Sequence, residues 1–341
     1  MAESSDKSSR KQGVIGTFQS LNALGDSVMD YFKGVQAKLQ NLPQTNFELG
    51  KDMVDRGQVN DAVFRFHLTL WLSPRHVEAM YYLGMCYIAR GQAERGVEYL
   101  QKALELHPGH EQARFLLASQ RPHLVTPLPH TMPHELAQQY FNAQSVQFDE
   151  RQQSAGYAGP QLMQQALTQY YQGEAHSLIA IDLGCGTGLC GAAIRNQTRE
   201  IIGVDLSPEM IDLVGSKRRN DEHSLYHQLI QDDMAQYLHH QSPPKANVIL
   251  ACDCLHFVGE LTQVFTGVGK TLMTGGLFIC TYEPWDQEQG YTLLQGKGWY
   301  VHSDNYIRTL AQKAGLQEVA IEEVALYPDA TVKRAVFTKA A

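Results

Sequence analysis

Six cysteines in 341 residues is a small number, and none stands in the paired spacing of a zinc site or a secreted disulfide framework. Cys86, Cys185, Cys190, Cys252, Cys254 and Cys280 fall in apolar or glycine-turn segments, which predicts reduced thiols and a cytoplasmic location. Cys252, Cys254 and His256 alternate, but no second cluster completes a coordination sphere, so no metal site is expected. Positive charge is also scarce. With 28 Lys and Arg against 36 Asp and Glu the net charge is -8, and without a basic field a nucleic-acid substrate is disfavoured. No uninterrupted apolar run approaches the length of a membrane span, and the polar, serine-rich opening over 1–12 has no apolar stretch behind it. Hydrophobic residues nevertheless make up 43% of the chain, enough for real cores, and the length suggests two domains.

The front half repeats itself every 34 residues. Leu49-Gly50 recurs as Leu83-Gly84, Arg56-Gly57-Gln58 as Arg90-Gly91-Gln92, and Leu72-Ser73-Pro74 as Leu106-His107-Pro108. Each unit reads as helix, turn, helix, stop: Gly50 and Gly84 allow close helix approach, Gly57 and Gly91 turn the chain, and Pro74 and Pro108 end the second helix. This resembles the tetratricopeptide repeat, a resemblance that implies a protein partner or a structural platform. Departures are Gly96 where the first unit has Ala62, and Thr69 where the second has Ala103. Four segments are expected: 1–42, a polar start and an amphipathic helix with a stripe from Val14 to Leu39; 43–120, two repeats and a capping helix; 121–135, a stiff proline-rich linker; and 136–341, a second domain. The stripe is expected to pack on the repeats, with attachment to a membrane surface disfavoured.

Ile181-Asp-Leu-Gly-Cys-Gly-Thr-Gly-Leu-Cys-Gly191 follows an apolar run that predicts a buried parallel strand, and a second such run, Ile201 to Val204, ends at Asp205. Glycines at 184, 186 and 188 let the backbone turn and approach a ligand before a helix begins, while a carboxylate at Asp205 can accept both hydroxyls of a ribose. A dinucleotide fingerprint needs its third glycine three residues after the second, where this chain has Leu189. Asp182 would also repel a pyrophosphate, though it suits the amino group of a methionine moiety. The segment resembles motif I of the class I S-adenosylmethionine-dependent methyltransferases, with Asp205 matching their ribose-binding acid.

Beyond Asp205, Ser207-Pro208 starts a helix that places Leu206 and Met210 over an adenine ring. Strands are predicted over Tyr226–Ile230, Asn247–Ala251 and Leu277–Thr281, a helix over Ser303–Ala314, and a closing hairpin of Val319–Tyr327 with Thr331–Thr338. That hairpin predicts an α/β, seven-stranded, Rossmann-like class I methyltransferase sheet behind an all-α repeat domain. The resemblance sharpens over about 43–338: repeats, Phe148-Asp149 and Gly156-Tyr157 before the glycine loop, Ala251-x-Asp253-x-Leu255-x-Phe257-x-Gly259 after the fourth strand, and Tyr300-x-His302-Ser303. The chain is similar to bacterial methyltransferases that contain tetratricopeptide repeats. Many members carry a basic residue where this chain has Trp299.

The resemblance implies S-adenosyl-L-methionine as cofactor, and the expected binding set is Asp182, Gly184, Cys185, Gly186, Gly188, Asp205, Leu206, Met210, Asp233, Met234 and Asp253. Asp233 is favoured over Asp232 for the adenine amine. An acceptor entering protonated, as an amine or phenol, needs a base, for which His256, Glu283 and His302 are the candidates. Tyr157, Asp253, His256, Glu283, Tyr300 and His302 are expected to converge on one cleft. The acceptor is a small molecule or a protein docked by the repeats. The alternative from another class is a scaffold that keeps the cofactor fold without turnover.

Overall fold

The 34-residue period of the front half is reproduced down to the helix ends. The computed structural model describes residues 41–340 except 175–176, 218–223, 241–242 and 289, so the stripe from Val14 to Leu39 lies outside the described residues. Two compact units are present, Met1–Pro108 and Gly109–Ala341. In the first, α1 (41–55), α2 (Val59–Leu72), α3 (Val77–Ala89) and α4 (Ala93–Leu106) form two antiparallel pairs. Ser73 and His107 close α2 and α4 by donating their backbone N–H to Thr69 and Ala103. His76 caps α3 by accepting from the Ala79 N–H at 3.2 Å, and His110 caps α5 (Glu111–Gln120) in the same way through Ala113 at 3.3 Å.

Close helix approach explains the small residues. A Cβ on Gly84 would stand 2.7 Å from Leu100 Cγ and 3.1 Å from the Gly96 carbonyl oxygen, so α3 and α4 meet at a distance glycine alone permits. Phe47, Ala62, Val63, Phe66, Leu83, Cys86 and Tyr87 fill the core of this unit.

The second unit is built on a seven-stranded sheet in the order β3-β2-β1-β4-β5-β9-β8. Its strands are β1 (Leu178–Leu183), β2 (Thr198–Asp205), β3 (Gln228–Gln231), β4 (Ala246–Ala251), β5 (Leu272–Tyr282), β8 (Leu316–Tyr327) and β9 (Ala330–Lys339). β1 to β5 run parallel and β9 enters antiparallel between β5 and β8, as the closing hairpin predicts. Alternation sorts the strands onto two cores. Ile181, Leu183, Ile249 and Ala251 face one layer with α12 (Thr262–Thr271) and α13 (Asp304–Lys313). Ala180, Val248 and Leu250 face the other, covered by α8 (Gly159–Tyr170), α9 (Leu189–Ile194) and α10 (Pro208–Ser216).

Three features differ from the expectation. A two-stranded ribbon of β6 (Tyr291–Leu294) and β7 (Trp299–His302) stands outside the sheet. The boundary between units falls at Pro108 rather than 120, because α5 packs on that ribbon: Phe115 meets Tyr300 at 6.3 Å between ring centres, and the Gly296 N–H donates to Ser119 at 2.8 Å. The segment expected as a linker is tied down as well. His130 accepts from the backbone of Gly259 and Glu260, Thr131 bridges Val258, and Tyr300 Oη donates to Pro129 at 2.8 Å.

Candidate functional site

Three glycines shape the turn after β1, each at positive φ, and they do different things. A Cβ on Gly184 would strike Cys254 Cβ at 2.7 Å, and one on Gly188 would strike Val214 at 2.6 Å. A Cβ on Gly186 would meet nothing within 4 Å, so that face of its backbone opens onto the cleft where a ligand can reach it. Gly188 belongs to a channel that also includes Gly191 and Gly203 and is occupied by the ring of Tyr226. Through it Tyr226 Oη reaches Asp182 and donates to Oδ2 at 2.6 Å. Asp182 is buried behind the turn, 1% exposed, and does not line the cleft. Burial raises its carboxyl to about 7 against the pull of the Tyr226 hydrogen bond.

Asp205, at the end of β2, does line it. Its Oδ2 accepts from the Gly186 N–H at 2.8 Å and its Oδ1 from the Ser207 N–H at 2.9 Å. Burial raises this carboxyl and the backbone donors pull it back. The group thus holds the loop and still faces the cleft, where its remaining lone-pair capacity can take ligand hydroxyls. Ser207 caps α10, accepting from the Met210 N–H at 3.1 Å, and that start sets Leu206 and Met210 as apolar walls. Beyond β3, Asp233 caps α11 (Met234–His240), with Oδ1 accepting from Ala235 and Gln236, while Oδ2 stands 3.5 Å from His134 Nε2. Asp232 and Met234 complete this end.

Two helices ahead of the sheet form the cover, α6 (His134–Ser145) and α7 (Phe148–Ser154). α6 is fixed on the loop after β2, where Gln138 donates to the Leu206 carbonyl at 3.2 Å and Ser207 Oγ donates to Asn142 at 2.8 Å. α7 is fixed on the glycine turn, where Asp149 accepts from Thr187 and from Lys217. Ala137, Phe141 and Phe148 thereby face the cleft. Tyr157 joins them from the following turn, its hydroxyl 3.5 Å from Cys252 Sγ.

The end of β4 carries the remaining polar groups. Asp253 lines the cleft with its backbone at φ 54°, a left-handed conformation uncommon outside glycine, anchored by its N–H donating to Thr281 Oγ1 at 2.7 Å. Burial, then Glu283, pushes its carboxyl up to about 7. Glu283 is half-buried and itself raised by burial. His256 lies between Phe257 and Trp299, with Nδ1 3.6 Å from Asp253 Oδ1, beyond hydrogen-bond reach. Burial pushes it down to about 3, so it is neutral at physiological pH. His302 is fully buried, and its Nε2 donates to the carbonyls of Val258 and Gly259 at 2.9 and 3.2 Å. Two carbonyl partners fix the proton on Nε2, and burial lowers this ring to about 4.

The cleft holds about 1010 Å³ with its mouth included. It gathers Gly184, Cys185, Gly186, Asp205, Leu206, Met210, Asp233, Met234 and Asp253 on its walls, with Tyr157. Asp182 and Gly188 stand behind the turn, and His256, Glu283 and His302 are off the lining. Tyr300 is fully buried in the ribbon. Sequence reasoning did not single out Thr131, Met132 and His134, because a proline-rich segment gives no sign that it lies along a cleft. A carboxylate beside an open glycine backbone, apolar plates along one side and a covered acidic end suit a nucleoside that carries a cationic tail. Among the described residues no group of three His, Cys, Asp or Glu is placed to hold a metal ion, and no helix is long and apolar enough to cross a membrane.

Comparison with known proteins agrees with this geometry. The family model described as "Methyltransferase domain" matches residues 181–278, and one described as "Anaphase-promoting complex, cyclosome, subunit 3" matches 55–120. A curated relative, "Putative methyltransferase YqeM" of Bacillus subtilis (strain 168), is 26% identical over 102 residues, which is 29% of this chain and 40% of that protein. Similar solved structures include magnesium protoporphyrin IX methyltransferase from Synechocystis PCC 6803 with bound SAM, at 16% identity and TM-score 0.48, covering 63% of this chain and 100% of that one. Another is 1,6-didemethyltoxoflavin-N1-methyltransferase from Burkholderia thailandensis, at 16% identity and TM-score 0.48, covering 63% and 94%. Residues 181–278 of this chain thus match a methyltransferase domain, set in a seven-stranded sheet, and a helical region of 34-residue repeats precedes it in the sequence.

Proposed function

We propose that this protein transfers the methyl group of S-adenosylmethionine to an acceptor that enters the cleft beside the ends of β4 and β5. The observation that carries this reading is the pairing of Asp205 with the open backbone of Gly186 on the wall of a single cleft. Bound there, the cofactor supplies a methyl carbon made electrophilic by its sulfonium. Asp205 takes the ribose hydroxyls with the lone pairs that the loop leaves free. Leu206, Met210 and Met234 cover the adenine, and Asp233 accepts its amine with the oxygen that does not cap α11. Gly184, Cys185 and Gly186 line the methionine side. Asp182 acts from behind, holding the turn through Tyr226. α6 and α7 exclude water, and orientation of the acceptor provides much of the rate. His302 pins the loop 255–259, within which a neutral His256 packs against Phe257 and Trp299.

The repeats are read as a docking surface for a protein segment, which is supported by Phe64 and Trp71, 65% and 77% exposed and two turns apart on α2. Six buried free cysteines support a reducing, cytoplasmic setting. Calorimetric titration tests the cofactor. S-adenosylmethionine should bind and NADH should not, and the reverse result would end this reading. Label transferred from the cofactor in a cell extract then shows whether the acceptor is a protein or a small molecule.

A further inference from the structure

On the methyl-transfer reading, the ends of β4 and β5 bear on the class of acceptor. In the sheet order, β2 and β3 lie on one side of β1 and carry Asp205, Asp232 and Asp233, while β4 and β5 lie on the other. Groups at the end of β4 therefore stand past the cofactor, on the side from which an acceptor comes. There the cleft wall is Asp253, with Glu283 close enough to raise it and Tyr327 Oη 3.5 Å from its Oδ2. His256 Nδ1 stands 3.6 Å from Asp253 Oδ1, and burial pushes that ring down to about 3, so it brings no charge to Asp253. A buried carboxylate on the cleft wall, with a second close enough to raise it, repels an anionic acceptor, whereas a cation relieves it.

We infer that the acceptor is an amine that enters as an ammonium ion, and that Asp253, backed by Glu283, binds it and takes its proton. The proton passes to a carboxylate oxygen of Asp253 as an N–H bond breaks and an O–H bond forms. The freed nitrogen lone pair makes the new N–C bond, and the electron pair of the broken C–S bond stays on sulfur. A methylammonium ion, a neutral thioether and a protonated Asp253 result, with charge conserved.

The test needs no acceptor. Sinefungin, in which a carbon bearing an amino group replaces the sulfonium, puts an ammonium where the transferable methyl would be, and S-adenosylhomocysteine has neither. Both are titrated into the whole protein, wild type, Asp253→Asn and Glu283→Gln. Asparagine tolerates the left-handed backbone at 253, so the fold is kept. The wild type should prefer sinefungin. Asp253→Asn should lower sinefungin affinity about tenfold or more, as loss of a charge-assisted hydrogen bond does, and leave S-adenosylhomocysteine within about twofold. Glu283→Gln should show a smaller loss of the same kind. Equal weakening of both ligands would instead put Asp253 on the methionine amino group, and unchanged sinefungin affinity would remove it from the acceptor side; either overturns the inference while the cofactor reading stands. If neither ligand binds the wild type, the cofactor reading itself fails.

Discussion

Asp182 and Asp205 sit on adjacent strands, and burial raises both, yet their hydrogen bonds set them to different work. Asp205 accepts from backbone N–H groups of the loop and also faces the cleft, where it can accept from a ligand. Asp205→Ala should therefore weaken S-adenosylmethionine binding by about 2–4 kcal/mol, measured by calorimetry, with the melting curve showing that the variant is folded. Unchanged affinity in a folded variant would take Asp205 off the ribose. Asp182 faces Tyr226 inside the protein, and its signature is a dependence of stability on pH. A carboxyl raised on folding from 3.8 to about 7 contributes stability that is complete below the lower value and is lost as pH rises through the upper one. Asp182→Asn does not titrate. Urea unfolding at about pH 5 and about pH 8 should show the wild type losing stability relative to Asp182→Asn by about 1 kcal/mol per pH unit up to about pH 7. A constant difference would mean that Asp182 is ionised throughout.

At the scale of elements, the strands were the most legible part of the chain. Apolar runs such as Asn247–Ala251 are buried on both faces, and a run of that kind is read the same way wherever it lies in a parallel sheet. The ribbon was not legible, because Tyr291–Leu294 and Trp299–His302 are four residues each, with no apolar alternation to mark them. The same limit applies to the site. A strand's end can be read from sequence, so Asp205 and Asp253 were placed at the cleft, but the direction of a side chain in the following loop is set by packing. His256 and His302 turn into that packing, one against Trp299 and the other onto two carbonyls. Gly188 reads in the sequence as a ligand contact, and the side chains that crowd it, Val214, Leu225 and Tyr226, are far away in sequence. Helix contacts in the repeats were legible through their small residues, and they give a direct test. Gly84→Ala puts a Cβ 2.7 Å from Leu100 Cγ and should cost about 1–3 kcal/mol of stability in that unit by overpacking, with cofactor affinity unchanged. A neutral effect on denaturant unfolding would show that α3 and α4 can separate at no cost.

For the whole molecule, the division between the units decides which pieces can stand alone. Every residue lining the cleft lies between Thr131 and Val258, within the unit that starts at Gly109. That unit includes α5 and the segment before α6, which sequence reasoning assigned to the repeats and to a spacer. Both are bound into the unit by contacts that a shorter piece would lose: Phe115 against Tyr300, Ser119 accepting from Gly296, and Pro129 and His130 accepting from Tyr300 and from Gly259. Removing them would uncover the buried ring of Tyr300 and strip partners from the loop 255–259, next to Phe257 and Val258 of the cleft wall. A fragment 109–341 should fold and bind S-adenosylhomocysteine within about twofold of the whole chain, a difference of about 0.4 kcal/mol. A fragment 133–341 should be less stable by several such contacts, on the order of 3 kcal/mol or more, and should bind weakly or aggregate. If the repeats dock the acceptor, 109–341 keeps cofactor affinity but loses turnover on it. Equal stability of the two fragments would show that α5 and the strap are accessories, and loss of cofactor binding in 109–341 would show that the first unit is needed to hold the cleft in shape.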